Sequence, residues 1–282
     1  MNELQKKELE IFIEVKKVLE RHGLTYFAIG GTCIGAVRHQ GFIPWDDDID
    51  IAMPREDYEK FRKEYYKELP DYLQKLDGDN CKIYNGLYMK IHDSRTTYIE
   101  QHFVDFPSRY SGVFIDVMPV DAIPADKVDF VIKKVKKLSH MNNVNRKPFR
   151  KSLSMSSKLK HCIFALIQIT HKPDYYSNKI EKCLRQFDGE NSDRALFTWR
   201  YKASINRKVY AKEMFDSVVE VPFENTTIAV PIGYDQYLKQ DFGNYMKLPP
   251  KEQQKTLHNV YLLDLCNAFG YYADRKRRGE NL

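Results

Sequence analysis

The sequence predicts a mixed α/β (α+β) protein: a core sheet with flanking helices and a basic helical insertion. Three observations carry this. Helical and strand periodicities follow one another without the regular rhythm of a doubly wound sheet. Of the 282 residues 43% are hydrophobic, and the 30% that are charged are interleaved with Tyr, Phe, Ile and Leu, so the chain can bury a core and is not a disordered polymer. Charge is uneven: residues 127–212 hold 21 Lys+Arg against 6 Asp+Glu, about +15, which leaves the remainder near −9.

Leu4, Glu8, Ile11, Phe12, Val15, Val18 and Leu19 trace a helical stripe broken by one acid, and Gly23 stands where a C-cap belongs. Residues 24–29 read as a short buried strand ending in Gly30-Gly31, followed by a helical turn over 32–39 and a loop over 41–44. Residues 49–53 form a strand closed by Pro54, and 55–69 a charged helix with Tyr58, Phe61 and Tyr65 on one side. Alternation predicts strands at 82–92 and 96–101, and another at 112–117 stopped by Pro119, with Asp121 capping a turn. Val128, Ile132, Val135 and Leu138 mark a Lys-rich helix; 142–157 is polar and reads as loops; 158–170 and 175–187 read as helices. Strands return at 218–223 and 227–232 around the turn Glu224-Asn225-Thr226, and 234–242 and 251–269 read as helical. The expected organisation is a catalytic core over 1–125, a basic helical insertion over 126–215, and strands and helices over 216–282 that complete the core.

Several classes are excluded or disfavoured. The longest apolar run, 162–169, falls far short of the ~18 residues of a membrane span. Residues 1–21 are charged and amphipathic, without the apolar centre of a signal peptide. Five Cys, with no C-x-x-C pair, argue against a zinc ribbon or a disulfide framework and for a reducing compartment, so a cytoplasmic location is expected. The basic middle suits a polyanion, whether nucleic acid, an anionic membrane face or a phosphorylated polymer, and equally suits a solvated helical face. Nucleic acid is not the expected partner, because 127–160 has only Phe130 and Phe149 among its basic residues.

Asp46-Asp47-Asp48-Ile49-Asp50-Ile51 is the strongest local signal. On a strand, Asp48 and Asp50 point the same way, and two carboxylates on one face call for a cation between them. Mg²⁺ takes such ligands together with substrate phosphates. A calcium loop does not fit, because its sixth position is Ile51 and its twelfth Asp57. Gly30-Gly31-Thr32, between a strand and a helix, lets backbone N–H groups approach a phosphate, although alone it is a plain turn and matches neither a P-loop nor a dinucleotide fingerprint. Beside the acidic run it suits phosphoryl transfer. Asp116, inside the apolar strand Val113-Phe114-Ile115-Asp116-Val117, is either paired or a functional carboxylate. Arg38 could clamp a phosphate. His39 and His258 could donate to phosphate or acceptor, and Lys90 could neutralise a diphosphate. Tyr98, Phe103, Phe106 and Tyr110 form core and lid, or wrap a quaternary ammonium, with Trp45 beside the acidic run. Asn85, Ser94, Arg95, Thr96 and Gln101 would instead suit a polyol or sugar.

The run from Gly30 to Ile51, GGTCIGAVRHQGFIPWDDDIDI, closely resembles the signature of the LicD family, bacterial phosphotransferases related to fukutin. Residues 114–121 resemble its second motif, and 230–233, 237–238 and 242–250 its C-terminal one, with Phe242 and Asn244 where the family often has Tyr and Asp. The resemblance covers roughly 20–125 and 218–260 and implies a nucleotidyltransferase-like core sheet. It implies that Gly30 and Gly31 hold phosphate, that Asp48 and Asp50 hold Mg²⁺ (or Mn²⁺), and that Asp116 joins them or acts as base. The implied reaction moves phosphocholine from CDP-choline to a hydroxyl of a lipid-linked cell-surface glycan of teichoic acid or lipopolysaccharide type. The charge of about +15 in the middle region and the short apolar helix at 158–170 suggest peripheral contact with the inner face of a bacterial membrane. Transfer of a polyol phosphate or sugar 1-phosphate, and a nucleic-acid-binding role for the basic middle, are the alternatives.

Overall fold

The computed structural model describes residues 1–81, 84, 86–101, 111–145, 170, 172, 174–197, 209–256 and 258–272. The chain forms two units. One comprises Met1–Leu76, Tyr88–Val120 and Glu213–Leu282; the other comprises Asp77–Leu87 and Asp121–Lys212.

The first unit opens with α1 (Glu3–Arg21), started by a capping box in which Asn2 and Gln5 each satisfy the other's backbone N–H. Its buried stripe includes Leu9, Phe12, Val15 and Leu19, and Glu8 is buried with them. Then come β1 (Phe27–Ala28), α2 (Gly30–His39), β2 (Asp50–Pro54), α3 (Arg55–Lys63), β3 (Leu73–Leu76), β4 (Met89–Asp93), β5 (Thr97–Glu100) and β6 (Phe114–Ile123). The sheet order is β1-β2-β6-β4-β3, with β2 and β6 parallel and the other neighbours antiparallel. This is the expected mixed α/β class.

Several local expectations change. Pro119 does not stop its strand: β6 continues to Ile123, and Asp121 is buried within it rather than capping a turn. The ladder between β4 and β6 ends at Val117, so Pro119 lies beyond it, opposite Met53 of β2. Strand β4 begins only at Met89, and β3 was not expected at all.

In the second unit α4 (Val128–Asn145) and α5 (Tyr175–Arg185) pack together through Val131, Ile132, Val135, Ile180, Cys183 and Leu184. Helix α4 extends into the stretch expected to be loop. The insertion read as helical with loops also holds an antiparallel pair, β7 (Arg194–Phe197) and β8 (Val209–Ala211), in which Leu196, Phe197 and Tyr210 are buried. Most of the expected helix at 158–170 lies outside the described residues.

The first unit is completed by the hairpin β9 (Val218–Phe223) and β10 (Thr226–Pro231), by α6 (Tyr234–Phe242) and by β11 (Val260–Asp264). The last replaces the second half of the helix expected over 251–269. Val260, Leu262 and Leu263 pair antiparallel with Glu100, Ile99 and Tyr98 of β5, and that tertiary pairing overrides helical periodicity. Among the described residues no helix is long and apolar enough to cross a membrane.

Candidate active site

Strand register assembles the site. On three adjacent strands Asp50 lies opposite Asp116, and Asp116 opposite Lys90. The Asp116 N–H donates to Ile49 O at 2.9 Å, and Ile29 N–H to Asp50 O at 3.1 Å, so both aspartates are fixed by backbone bonds at the start of their strands. Lys90 Nζ donates to Asp116 Oδ1 at 2.6 Å and lies 3.4 Å from the centroid of the Phe114 ring. Burial pushes the Asp116 carboxyl above the usual range, against the opposing pull of Lys90.

The glycine turn meets these acids directly. Gly30 has φ +57°, the left-handed region a side chain disfavours. A Cβ there would stand 3.5 Å from Asp50 Oδ2, and one on Gly31 would run into the Asp46 carboxylate. The Gly30 N–H donates to the Tyr237 hydroxyl at 2.8 Å, and Thr32 Oγ1 accepts from the Asp50 N–H at 2.8 Å. Both groups are thus engaged by protein, while the first-turn amides of α2 keep the polarity that favours anions.

Residues 46–49 form the approach to β2 rather than part of it, since the strand begins at Asp50. Of the two acids expected to share a strand face, Asp50 begins β2 and Asp48 stands two residues before it, next to the ladder bond at Ile49. Gln5 Nε2 holds the approach by donating to Asp46 O at 2.8 Å and Ile43 O at 3.3 Å. The Asp47 carboxylate accepts from Thr256 Oγ1 and pairs with His258 Nδ1 at 3.0 Å, while His258 Nε2 lies 3.8 Å from Asp48 Oδ2. Burial and the neighbouring Asp48 and Asp47 charges push Asp46 up to about 7. Burial pushes Asp48 up to about 6, with His258 opposing and Asp116 adding. The hydrogen bond to Asp47 raises His258 to about 9. Burial and then Asp48, Asp47, Asp46 and Asp50 push Glu8 well above the carboxylate range.

Of the residues singled out in the sequence, the structure brings together Gly30, Gly31, Thr32, Asp48, Asp50, Lys90, Asp116 and His258. Arg38 and His39 sit at the opposite end of α2. Arg38 donates to the carbonyls of Tyr245 and Lys247 and from Nε to His39 Nδ1, so it ties α2 to the segment after α6. The His39 ring meets Trp45 edge-on at 6.4 Å. Asn85, Phe103, Phe106 and Tyr110 lie outside the described residues. Tyr98 is buried against Phe114. Ser94, Arg95 and Thr96 bond to Tyr72, Asp93 and Val113 and hold the turn between β4 and β5. Gln5 and Thr256 are not singled out by the sequence, and Asp46, Asp47 and Tyr237 stand there only within their runs, without a role. Glu8, the acid in the α1 stripe, was the visible signal for buried polarity; nothing local marked Thr256.

Among the described residues no three His, Cys, Asp or Glu side chains are arranged to hold a metal ion. A hard ion that uses one or two carboxylates and completes its shell with phosphate and water asks for less. The crowded anionic charge of Asp48, Asp50 and Asp116 fits that chemistry.

The family described as LicD/FKTN/FKRP, nucleotidyltransferase domain, matches residues 23–147. The chain is 31% identical over 255 residues to the lipopolysaccharide cholinephosphotransferase LicD of Haemophilus influenzae, covering 86% of this chain and 91% of that one. A shorter likeness, 48% over 40 residues, is to the ribitol 5-phosphate transferase FKRP of Homo sapiens, over 14% of this chain and 8% of that one. A third is to the protein RP689 of Rickettsia prowazekii, 44% over 55 residues, 18% of this chain and 21% of that one.

Proposed function

The chain belongs to the LicD family of phosphotransferases, and from that premise we propose that it moves phosphocholine from CDP-choline to a hydroxyl of a lipid-linked cell-surface glycan. The observation that carries this reading is the 31% identity across 91% of a lipopolysaccharide cholinephosphotransferase. The site geometry supports it.

In this reading Asp48 and Asp50 hold Mg²⁺ or Mn²⁺, which supplies positive charge to the donor diphosphate when bound. The first turn of α2, with Gly30 and Gly31, faces the donor phosphates through its positive end. His258 donates to a phosphate oxygen. Asp116, raised by burial, accepts the proton of the glycan hydroxyl as its oxygen attacks the phosphorus. The bond from that phosphorus to the bridging diphosphate oxygen breaks, and CMP leaves. Lys90 holds Asp116 in place and brings a cation to the developing charge. Arg38, which ties two protein segments together, has a structural part instead.

A polyol phosphate is the second reading, favoured by the likeness to a ribitol 5-phosphate transferase over 40 residues. A turnover screen over CDP-choline, CDP-glycerol, CDP-ribitol and nucleotide sugars with Mg²⁺ separates the two. CMP release from CDP-choline at the highest kcat/KM is expected; a tenfold preference for another donor overturns the choline assignment and keeps the phosphotransferase. The lysines of α4 and the basic stretch after it are assigned peripheral contact with an anionic membrane face. Co-sedimentation with anionic vesicles that falls with salt is expected, and equal binding to neutral vesicles refutes it.

A further inference from the structure

Asp47 stands apart from the other acids of the run. Both its oxygens are taken from the C-terminal side, Oδ1 by His258 Nδ1 at 3.0 Å and Oδ2 by the Thr256 hydroxyl. The His258 N–H in turn donates to Thr256 Oγ1 at 3.2 Å, so the three residues close on one another. The Asp47 side chain is 10% exposed, that of His258 27%, and Thr256 is exposed, so an enclosed carboxylate is held from a side that opens to solvent. An ionised carboxylate only accepts, which makes Nδ1 the donor and fixes the ring plane. Nε2 is then directed towards Asp48, 3.8 Å from its Oδ2.

We propose that Asp47 is a positioning residue: with Thr256 it orients the His258 imidazole so that Nε2 faces the donor phosphates. This rests on the phosphotransferase reading and deepens it by giving the middle acid of the run a task distinct from that of Asp48 and Asp50. A hydrogen-bonded carboxylate behind a histidine is the usual means of fixing which ring nitrogen faces the chemistry. Thr256 supplies the second bond that keeps the carboxylate from rotating.

The test is a kinetic cycle with the nucleotide donor that the wild type turns over. His258→Gln, Asp47→Asn and Thr256→Val are each expected to lower kcat, on the order of 10- to 100-fold for Asp47→Asn and less for Thr256→Val, with a smaller change in donor KM. Because Asp47 acts through His258, the double variant Asp47→Asn/His258→Gln should be no slower than His258→Gln. Multiplying effects, or wild-type kcat in both Asp47→Asn and Thr256→Val, overturn the proposal. Mn²⁺ binding, followed by water-proton relaxation, should be retained in Asp47→Asn and lost in Asp48→Asn; loss in Asp47→Asn makes it a ligand and refutes the positioning role. Thr256→Val replaces only the hydroxyl by a methyl, at an exposed residue, and carries the test where Asp47→Asn does not fold. Asp48→Asn separates the failures. Retained turnover there overturns the site itself, whereas an inactive Asp48→Asn beside wild-type kcat in both Asp47→Asn and Thr256→Val overturns this proposal alone.

Discussion

Lys90→Met removes the cation from the most enclosed ion pair of the site while nearly keeping the shape of the side chain. Lys90 Nζ is 2.6 Å from Asp116 Oδ1, with the two side chains 13% and 10% exposed. Removing one partner of a buried pair costs about 3–5 kcal/mol, because the remaining charge is left uncompensated. Asp116 can relieve this by taking up a proton, for which burial already primes it, so the low end, about 3 kcal/mol, applies. The sulfur of Met replaces part of the contact that Nζ makes with the Phe114 ring. At roughly 2–4 °C per kcal/mol for a chain of this size, the melting temperature should fall by ~6–12 °C. Differential scanning calorimetry on Lys90→Met, Asp116→Leu and the double variant measures it. The double variant should recover most of the loss, since replacing both members of a buried pair by apolar groups is often close to neutral. The shift should also persist in 1 M salt, because buried pairs are weakly screened. A Lys90→Met protein that melts within about 1 °C of wild type would refute the enclosed pair and the register that creates it.

Asp48→Asn and Asp50→Asn should each lower turnover by at least about 100-fold at saturating Mg²⁺ while leaving the far-ultraviolet spectrum unchanged, since charge placement at the diphosphate is worth several kcal/mol. Gly35→Ala should destabilise by roughly 1–3 kcal/mol, as its methyl would run into the backbone carbonyl of Gly41; an unchanged denaturant midpoint would contradict the close packing of α2 on the loop that leads to the acidic run. Asp93 gives a pH prediction. Burial alone would raise it, but Arg95, bonded through Nε at 2.9 Å and Nη2 at 2.7 Å, holds it below the ordinary carboxylate range. A depressed folded pKa adds stability above the unfolded value, near 4, and that stability is lost as pH falls through the folded value. The melting-temperature gap between wild type and Arg95→Met should therefore be wider at about pH 6 than at about pH 2.5, and a pH-independent gap would contradict the assignment.

Much of the fold was legible because it is written locally. The α1 stripe, the turn at Gly30, the strand before Pro54 and the hairpin around Glu224 rest on periodicity and turn chemistry within a few residues. The acidic run and Asp116 stood out because carboxylates in apolar strands need a reason. What stayed hidden depends on partners distant in sequence. Strand β11 looked helical until β5 was there to pair with it, and Pro119 looked like a stop until the β4 ladder was seen to end at Val117. The Lys90–Asp116 pair needs the register of two strands, and the Asp47–Thr256–His258 arrangement joins residues more than 200 positions apart. Arg38 reads as a phosphate clamp from its guanidinium chemistry alone, and the carbonyls that it donates to lie in the segment after α6.

The central claim is that the carboxylates at 48, 50 and 116 transfer a substituted phosphate from a nucleotide donor to a hydroxyl. Phosphorus NMR of the purified chain with CDP-choline, Mg²⁺ and a lipopolysaccharide acceptor tests it most directly. The wild type should produce CMP and a new glycan phosphodiester in equal amounts, and Asp116→Asn should lose most of that rate while binding the donor nearly as well. Undiminished transfer by Asp116→Asn, or CMP formed with no phosphodiester on the glycan, would contradict the account.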